Sequence, residues 1–405
     1  MDYYKRILES GLKRYLRQFP AVSIMGPRQS GKSTMLRKVL TPEYRYITFD
    51  DPLVVEYFLS DPRAFLAEYG ERVIFDEVQR VPALFNHLKV LIDNDRDKYG
   101  NFVLTGSSQF SMVKGITESL AGRIGSLSLL PFQYSEIPAG LRDAQMLLGS
   151  YPENVARGFG GVRDWYSAYI GNYLERDVRS LFNIGNLRDF QRLLSLLASQ
   201  TAQELNMSRL AGDIGVTVKT IGAWISILEA SFIIFLVPPY HRNLGKRVVK
   251  RPKLYFYDTG LVCHLTGVRT AELLEKGPLA GPVFENYVAA ELKKAVLHGA
   301  QDITFYYYRN NSGTEADLII DDLAAGSTVF VEIKCSSTAR PGMVEGLRKL
   351  IALERESSRS AAWNVSGVLV FRGDETPDFG GIRAVNYRRF LEEFLDTEGH
   401  DGRMS

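Results

Sequence analysis

Residues 26–34, GPRQSGKST, could bind phosphates, since they lie between an apolar run, AVSIM, and the helically spaced MLRKVL. The pattern GxxxxGK[ST] in this position is typical of a phosphate-binding loop, because its glycines permit tight turns and the freed amides face the phosphates. Lys32 is then predicted to reach the β- and γ-phosphates of ATP, and Ser33 to ligate Mg²⁺. The predicted nucleotide contacts in this loop are Gly26, Pro27, Arg28, Gln29, Ser30, Gly31, Lys32, Ser33 and Thr34.

Two adjacent carboxylates end a later apolar run, ERVIFDEVQRV, at residues 71–81. In a phosphate-loop enzyme the first carboxylate holds the Mg²⁺ shell and the second polarises the attacking water. An Asp-Glu pair also suits a helix N-terminus, where negative charge is favourable. Because the pair follows a GKST motif, we interpret Asp76 as a metal ligand and Glu77 as a catalytic residue.

Small hydroxyl residues end the run NFVLTGSSQF at residues 101–110. Thr105, Ser107 and Ser108 stand where a strand tip could sense the γ-phosphate, and Ser107 joins the predicted nucleotide contacts. Such Ser/Gly clusters are also ordinary turn chemistry, which is the alternative.

Arg123 follows in ESLAGR, between a helical pattern and another strand. An arginine there could stabilise transition-state charge in cis or on a neighbouring subunit's nucleotide, and the second case requires a homo-oligomer. We count it among the catalytic candidates. A surface pair with Glu118 is the alternative.

A second group of charged residues lies near the C-terminus. In FVEIKC, residues 330–335, strand alternation puts Glu332 and Lys334 on one face, about 7 Å apart along the strand. Asp317 lies on the preceding predicted strand, and Glu285 lies on a predicted amphipathic helix upstream. Three carboxylates against one lysine leave an excess of negative charge, which favours a bound metal. A buried ion pair is the alternative.

The spacing of these residues resembles that of the PD-(D/E)xK nuclease-like fold, with Glu on a helix, Asp on a strand and Glu-x-Lys on the next strand. The resemblance implies that Glu285, Asp317 and Glu332 bind one or two Mg²⁺ ions. It also implies that Lys334, together with Glu332, acts in catalysis by orienting or activating water for phosphodiester hydrolysis. The fold and the cleavage activity are separate expectations.

The motifs GPRQSGKST, VIFDEVQR, VLTGSSQF and ESLAGR, in this order, resemble the AAA+-related ATPases of bacteria and archaea whose C-terminal half is a domain of unassigned function. YLERDV and RPKLYFYDTGLVCHL extend the resemblance over nearly the whole chain. It implies ATP binding and Mg-dependent hydrolysis. One departure is the glycine-rich RGFGGVRDW, which follows an extra polar segment.

These motifs need elements to position them, and 405 residues are too many for one ordinary core. We predict an α/β chain of three parts. Residues 1–140 form a P-loop (AAA+-like) ATPase domain with a parallel sheet, residues 141–265 a helical lid and winged-helix-like region, and residues 266–405 an α/β domain like that of restriction endonucleases.

Residues 207–240 have the rhythm of a helix-turn-helix followed by two apolar strands. The second helix, bearing Lys219, Thr220 and Trp224, would enter a DNA major groove. The basic run 241–253, HRNLGKRVVKRPK, would be a wing that touches phosphates. Winged-helix units also serve as protein–protein spacers, and such a run is otherwise a solvated hairpin.

The composition, 45% hydrophobic and 24% charged, is that of a soluble globular protein. A net charge of +2 excludes chain-wide attraction to nucleic acid, so DNA binding would need a local patch. Cys263 and Cys335 lie far apart without a CxxC motif, which predicts neither a disulfide framework nor a structural zinc site. The N-terminus has no leader-like apolar core, and no apolar run approaches the ~20 residues of a membrane helix. A cytoplasmic protein without a membrane partner is expected.

Two functions remain open from the sequence. The first is an ATP-hydrolysing protein that acts on or near DNA through a nuclease-like C-terminal domain. The second is an ATP-dependent switch that controls assembly with a protein partner, with the C-terminal domain as a non-catalytic docking module.

Overall fold

The computed structural model describes residues 3–106, 119–174, 187–240, 251–310, 313–356 and 363–395. The helices are α1 Leu8–Leu16, α2 Lys32–Leu40, α3 Pro52–Ser60, α4 Pro62–Tyr69, α5 Ala83–Asn94, α6 Arg142–Leu148, α7 Pro152–Ala156, α8 Val162–Tyr169, α9 Leu187–Ser199, α10 Met207–Ile214, α11 Val218–Ala230, α12 Thr259–Thr266, α13 Ala271–Lys276, α14 Ala280–Gly299, α15 Glu345–Glu356 and α16 Tyr387–Leu395. The strands are β1 Ala21–Met25, β2 Arg45–Thr48, β3 Val73–Asp76, β4 Phe102–Thr105, β5 Ile124–Ser128, β6 Gln203–Glu204, β7 Ile234–Val237, β8 Lys253–Phe256, β9 Ile303–Arg309, β10 Glu315–Asp322, β11 Ser327–Lys334, β12 Asn364–Phe371 and β13 Ile382–Asn386.

Five described strands form a parallel sheet in the order β2-β3-β4-β1-β5. The central strands β1, β3 and β4 are buried along their whole length, as expected of parallel strands covered by helices on both faces. The carboxyl ends of parallel strands meet at one edge of the sheet. The loop after β1, Asp76 at the end of β3 and Thr105 at the end of β4 therefore share that edge. The parallel-sheet α/β fold predicted for this part is confirmed.

The middle part combines helices with a small antiparallel sheet, ordered β6-β8-β7 within the described residues. The predicted helix pair is present as α10 and α11. Gly215, in the left-handed conformation with φ 88°, ends α10, and the Thr217 hydroxyl caps α11 by accepting from the Thr220 amide. The two helices meet at 109°. No single helix in the described ranges is long and apolar enough to cross a membrane, and this bent pair reaches that length and composition only when joined.

The C-terminal part is a mixed sheet ordered β13-β12-β11-β10-β9, with helices on both faces. The strand pairs β9–β10 and β10–β11 are antiparallel, whereas the pairs β11–β12 and β12–β13 are parallel. Phe330 on β11 joins the core on the α15 side, and Val331 and Ile333 join the core on the α14 side. The predicted alternation along FVEIK is therefore confirmed.

Helix α14 connects this C-terminal sheet with the N-terminal sheet. It has 20 residues, and buried positions occur all round it rather than along one stripe, as expected of a helix enclosed by protein. It packs on β8, β11 and α16, and also on α1 and β5 of the N-terminal part. A single rigid element thus reaches from one sheet to the other.

Candidate functional site

The loop between β1 and α2 has the backbone that its glycines predict. Gly26 has φ 153°, and a Cβ atom there would lie 2.0 Å from the carbonyl oxygen of Leu129. Gly31 has φ 91° and precedes α2, whose first residue is Lys32. Neither position accepts a larger side chain without moving the backbone. A loop of this shape leaves the first amides of α2 free to bind an anion.

Lys32 lies inside this loop and is buried. Its Nζ atom donates hydrogen bonds to the carbonyl oxygens of Gly26 at 2.9 Å and Pro27 at 2.8 Å. The Ser30 hydroxyl oxygen is buried and has no hydrogen-bond partner among the described residues. An ammonium group beside an unpartnered hydroxyl in a glycine-rich loop fits the phosphates of a nucleotide.

Ser33 and Asp76, the two predicted Mg²⁺ ligands of this site, are in contact. Ser33 Oγ donates a 2.9 Å hydrogen bond to Asp76 Oδ2. The Tyr46 hydroxyl donates to the same carboxylate oxygen and so orients it. Hydroxyl and carboxylate oxygens are the ligands that Mg²⁺ prefers, so these residues fit the ion that accompanies ATP.

Glu77 follows Asp76 in a left-handed conformation, φ 57°, which is uncommon for a residue with a side chain. Its carboxylate accepts a hydrogen bond from the Gln79 amide. Burial, and then the neighbouring Asp76, raise the pKa of Glu77 above its usual value. A raised pKa suits a carboxylate that takes a proton from water.

Of the three candidate γ-phosphate sensors, Thr105 lies within the described residues. Thr105 lies at the end of β4, opposite Ile24 of β1, and its Oγ1 is buried without a hydrogen-bond partner in the described ranges. Ser107 and Ser108 lie outside the described residues. Thr105 therefore stands between the phosphate loop and Asp76, where a sensing hydroxyl is expected.

Arg123 lies away from the phosphate loop of its own chain, at the other end of β1. It immediately precedes β5, and its carbonyl oxygen accepts from the amide of Ala21 at the start of β1. The phosphate loop begins at the other end of β1, about 16 Å away along five strand residues. The guanidinium forms two hydrogen bonds with Asp93, at 2.8 and 2.9 Å. Glu118, the pairing partner considered from the sequence, lies outside the described residues.

Arg6 was not identified from the sequence, although it contacts the loop. Its guanidinium donates to the Ser30 carbonyl at 2.9 Å, to the Leu130 carbonyl at 2.7 Å and to Glu136 at 3.0 Å. Burial would raise the pKa of Glu136, but the neighbouring Arg6 guanidinium outweighs it and holds that pKa below its usual value. Nothing in the local sequence, one arginine in a charged N-terminal segment, signals this role.

A pocket of about 340 Å³ opens beside the loop. Gln29, Gly31 and Thr34 form its floor on the loop side. Its remaining walls are mostly aromatic and apolar and comprise Tyr3, Tyr4, Arg6, Phe132, Pro152, Glu153 and Ala156. An apolar, aromatic cavity next to a phosphate loop is suited to a nucleotide base.

The predicted C-terminal residues come together, and a lysine missed by the sequence analysis lies among them. Lys253 Nζ on β8 lies 3.0 Å from Glu285 Oε1, 3.3 Å from Glu315 Oε1 and 3.4 Å from Asp317 Oδ1. Its side chain is only 3% exposed. We call Glu285, Glu315, Asp317, Glu332, Lys253 and Lys334 the acidic cluster.

The rest of the acidic cluster is organised by β11. Lys334 Nζ pairs with Glu332 and lies 3.6 Å from Asp317 Oδ2, which also accepts from the Ile333 amide at 2.9 Å. Glu332 Oε2 is buried without a partner among the described residues. Tyr255, two residues from Lys253, donates to Glu285 at 2.7 Å.

Burial dominates the ionisation of the acidic cluster. It raises the pKa values of Glu285 and Glu332, and the charge of Asp317 raises both further. Burial also acts to raise the pKa of Asp317, but Lys253 and Lys334 outweigh it and lower that pKa. Asp317 is thus the carboxylate that the two lysines hold in its charged form.

The charge count that favoured a metal at Glu285, Asp317 and Glu332 needs correction. It omitted Lys253 and Glu315, because both come from strands whose meeting is decided by the tertiary fold. A cation already sits between three carboxylates, and no group of three or more His, Cys, Asp or Glu residues in the described ranges is arranged to hold a metal ion. The acidic cluster as it stands does not fit a resident metal.

The candidate DNA-reading helix also differs from expectation. On α11, Trp224 is buried and packs edge-on against Phe190, with ring centroids 5.8 Å apart. Lys219 remains exposed and Thr220 is partly buried. Of the basic run, residues 241–250 lie outside the described residues, and Lys253 enters the acidic cluster instead of facing phosphates.

Comparison with known proteins places these sites in matched regions. Residues 18–138 match the family described as AAA domain. Residues 139–272 and 280–390 match two families described as domains of unknown function, DUF8612 and DUF4143. The phosphate loop, Asp76 and Glu77 thus lie in an AAA-type P-loop domain, and Glu285, Asp317, Glu332 and Lys334 lie in the third matched region.

Two curated relatives span most of the chain. The uncharacterized proteins Rv2008c of Mycobacterium tuberculosis and Mb2031c of Mycobacterium bovis are each 30% identical over 351 residues, which is 86% of this chain and 77% of theirs. Among solved structures, the Walker-type ATPase PABY2304 of Pyrococcus abyssi is 17% identical with a TM-score of 0.47, over 65% of this chain and 96% of that one. The chain belongs to the family of proteins that includes Rv2008c and Mb2031c, and its N-terminal part is an AAA domain.

Proposed function

We propose that this protein is an ATP-hydrolysing switch in which the nucleotide state of the AAA domain is passed through α14 to the C-terminal domain, which docks a protein partner. The observation that carries the proposal is a continuous path of buried hydrogen bonds from the phosphate loop to α14.

The nucleotide chemistry is assigned to residues of one sheet edge. Lys32 and the loop amides hold the phosphates, and Ser33 and Asp76 hold Mg²⁺, which neutralises phosphate charge when bound. Glu77 accepts a proton from the attacking water. Thr105 is placed to contact the γ-phosphate, and the pocket lined by Tyr4 and Phe132 receives the base.

The path begins at the loop carbonyl of Ser30, which Arg6 contacts. Arg6 is paired with Glu136 and also donates to the Leu130 carbonyl, while the Leu130 amide donates to Nε2 of His298 on α14 at 3.0 Å. Movement of the loop on binding or release of phosphate therefore acts on the C-terminal end of α14.

The same helix is fixed at two further points. Lys294 donates to the Phe132 carbonyl at 3.1 Å and to Ser150 at 2.9 Å, and it is paired with Glu291 on the preceding turn. Toward its N-terminal end, Glu285 belongs to the acidic cluster. Because α14 is buried and continuous, a shift at His298 is carried to Glu285 as a movement of one body.

Hydrogen exchange measured by mass spectrometry tests this coupling. The Glu77→Gln variant with ATP and Mg²⁺ holds the bound state, and the nucleotide-free protein is the reference. We expect altered exchange in peptides covering 280–299 and 315–322. The Lys32→Ala variant, which should not bind ATP, is the matched control. Unchanged exchange in both peptides would refute the coupling to the C-terminal domain. It would not contradict the proposal that the AAA domain hydrolyses ATP.

A second candidate function is cleavage of DNA by the C-terminal domain. The observation that favours it is that Asp317, Glu332 and Lys334, predicted from separate motifs, meet at one place with Glu285. Plasmid cleavage with Mg²⁺ or Mn²⁺, with and without ATP, compared between the natural protein and Lys334→Ala, tests it. Cleavage that depends on Lys334 would make this domain catalytic, and its absence supports the docking role.

A further inference from the structure

We infer that Lys253 is the resident cation of the acidic cluster: its ammonium group takes the place of a divalent metal between Glu285, Glu315 and Asp317, and keeps the cluster metal-free. Lys253 comes from the middle part and its three carboxylate partners come from the C-terminal part, and the inference does not depend on ATP hydrolysis.

The Lys253 ammonium group occupies the space that a metal ion would need. The Lys253 Nζ atom lies 3.0 to 3.4 Å from three carboxylates on two elements, Glu285 on α14 and Glu315 and Asp317 on β10. These are separations of an ammonium ion, whereas Mg²⁺ binds oxygen at about 2.0–2.1 Å. Two cations cannot share this space, so a metal can enter only when the lysine leaves.

The Lys253 side chain is anchored by the small antiparallel sheet. Lys253 belongs to β8, which is paired on both sides by β6 and β7, and the strand's backbone is buried. The side chain lies near the ring of Tyr307, 5.5 Å from its centroid, and Tyr255 on the same strand face supports Glu285. The ammonium group therefore belongs to a buried side chain anchored on a sheet and not to a mobile surface side chain.

The groups around Lys253 determine the charge of its side chain. Proximity to Glu285, Tyr255 and Asp317 raises the pKa of Lys253 and outweighs the opposing effect of burial, so the ammonium stays charged. Lys334 lies at the other side of Asp317 and is far more exposed, 39% against 3% for Lys253. Removing Lys253 leaves a buried excess of carboxylate charge that only a cation or protons can offset.

Mn²⁺ binding to the full-length, nucleotide-free protein tests the inference, with free Mn²⁺ measured by electron paramagnetic resonance. The natural protein and Lys253→Met are compared, and the phosphate loop is common to both. We expect Lys253→Met to bind one further Mn²⁺ per chain. Adding Glu315→Gln to that variant should weaken this binding by at least about tenfold, since a charged carboxylate is replaced by a neutral amide.

Lys334→Met is the matched control, because it removes a lysine from the same cluster without vacating the position between Glu285 and Asp317. It should gain no Mn²⁺. If Lys253→Met folds poorly, its melting temperature should rise on addition of Mn²⁺ and that of Lys334→Met should not. A further comparison needs no lysine variant. The natural protein and Glu315→Gln should bind equal amounts of Mn²⁺, and an extra ion in the natural protein that Glu315→Gln loses would overturn the inference.

Discussion

Ser33 on α2 donates a 2.9 Å hydrogen bond to Asp76 at the end of β3, so the hydroxyl and the carboxylate of the predicted Mg²⁺ site meet across 43 residues of sequence. Burial raises the pKa of Glu77, the next residue, and the charge of Asp76 raises it further, whereas the charge of Lys32 lowers it. The metal-binding and catalytic roles that we propose therefore fall on neighbouring but separate residues.

We therefore expect Lys32→Ala to abolish ATP binding and Glu77→Gln to retain it. Hydrolysis by Glu77→Gln should fall on the order of 10²–10⁴-fold, the range for a lost general base. Binding is measured by calorimetry with ATP and Mg²⁺, and turnover by phosphate release. Equal turnover by Glu77→Gln and the natural protein would show that another group activates the water.

Arg123→Ala should leave ATP turnover unchanged, because Arg123 lies beside the start of β1 and β5, whereas the phosphate loop follows the other end of β1, and because Asp93 binds its guanidinium. Turnover measured over a wide range of protein concentration should coincide for the two proteins. A loss of turnover that appears as the concentration rises would instead show that Arg123 acts on the nucleotide of a second copy.

Arg6→Ala should destabilise the protein by about 3–5 kcal/mol, the usual cost of leaving one member of a buried ion pair alone. Glu136 is the residue left behind, and the carbonyl oxygens of Ser30 and Leu130 lose their donor. Urea unfolding measures the loss. Arg6→Lys keeps the charge without the planar fork, so its loss should be smaller. A similar effect of both variants would mean that geometry rather than charge dominates.

The buried His298 side chain predicts that the free energy of unfolding decreases at acidic pH. Burial, then Arg6 and Lys294, lower its pKa from 6.5 to about 3 even though Glu136 opposes them. Between these values the unfolded chain binds a proton that the folded chain does not, so stability present above pH 6.5 is lost as the pH falls. The expected slope is about 1.4 kcal/mol per pH unit for this group.

Urea unfolding of the natural protein and His298→Gln, compared at about pH 7.5 and about pH 5, isolates this contribution. Glutamine keeps an acceptor for the Leu130 amide but does not titrate. The natural protein should lose about 2 kcal/mol more than His298→Gln on acidification. Parallel losses in the two proteins would contradict a neutral, buried His298.

The nucleotide site could be predicted from sequence because its information is local. Turn glycines, a lysine and a hydroxyl at fixed offsets between a strand and a helix specify the loop backbone by themselves. Asp76 and Glu77 are read from the end of an apolar strand in the same way. The alternation of Glu332 and Lys334 follows from the geometry of any strand.

The amino-acid sequence by itself thus determined the phosphate loop, its acidic partners, the parallel sheet and the helix pair α10–α11. Only the tertiary structure decided which charges meet across long separations: Arg6 with Glu136 over 130 residues, Lys253 with Glu285 over 32, and Arg123 with Asp93 over 30. The physical reason is that a motif fixes backbone shape over a few residues, whereas the partner of a buried charge depends on how whole sheets and helices pack. The same residues that read as a metal site in sequence therefore enclose a lysine in the folded chain.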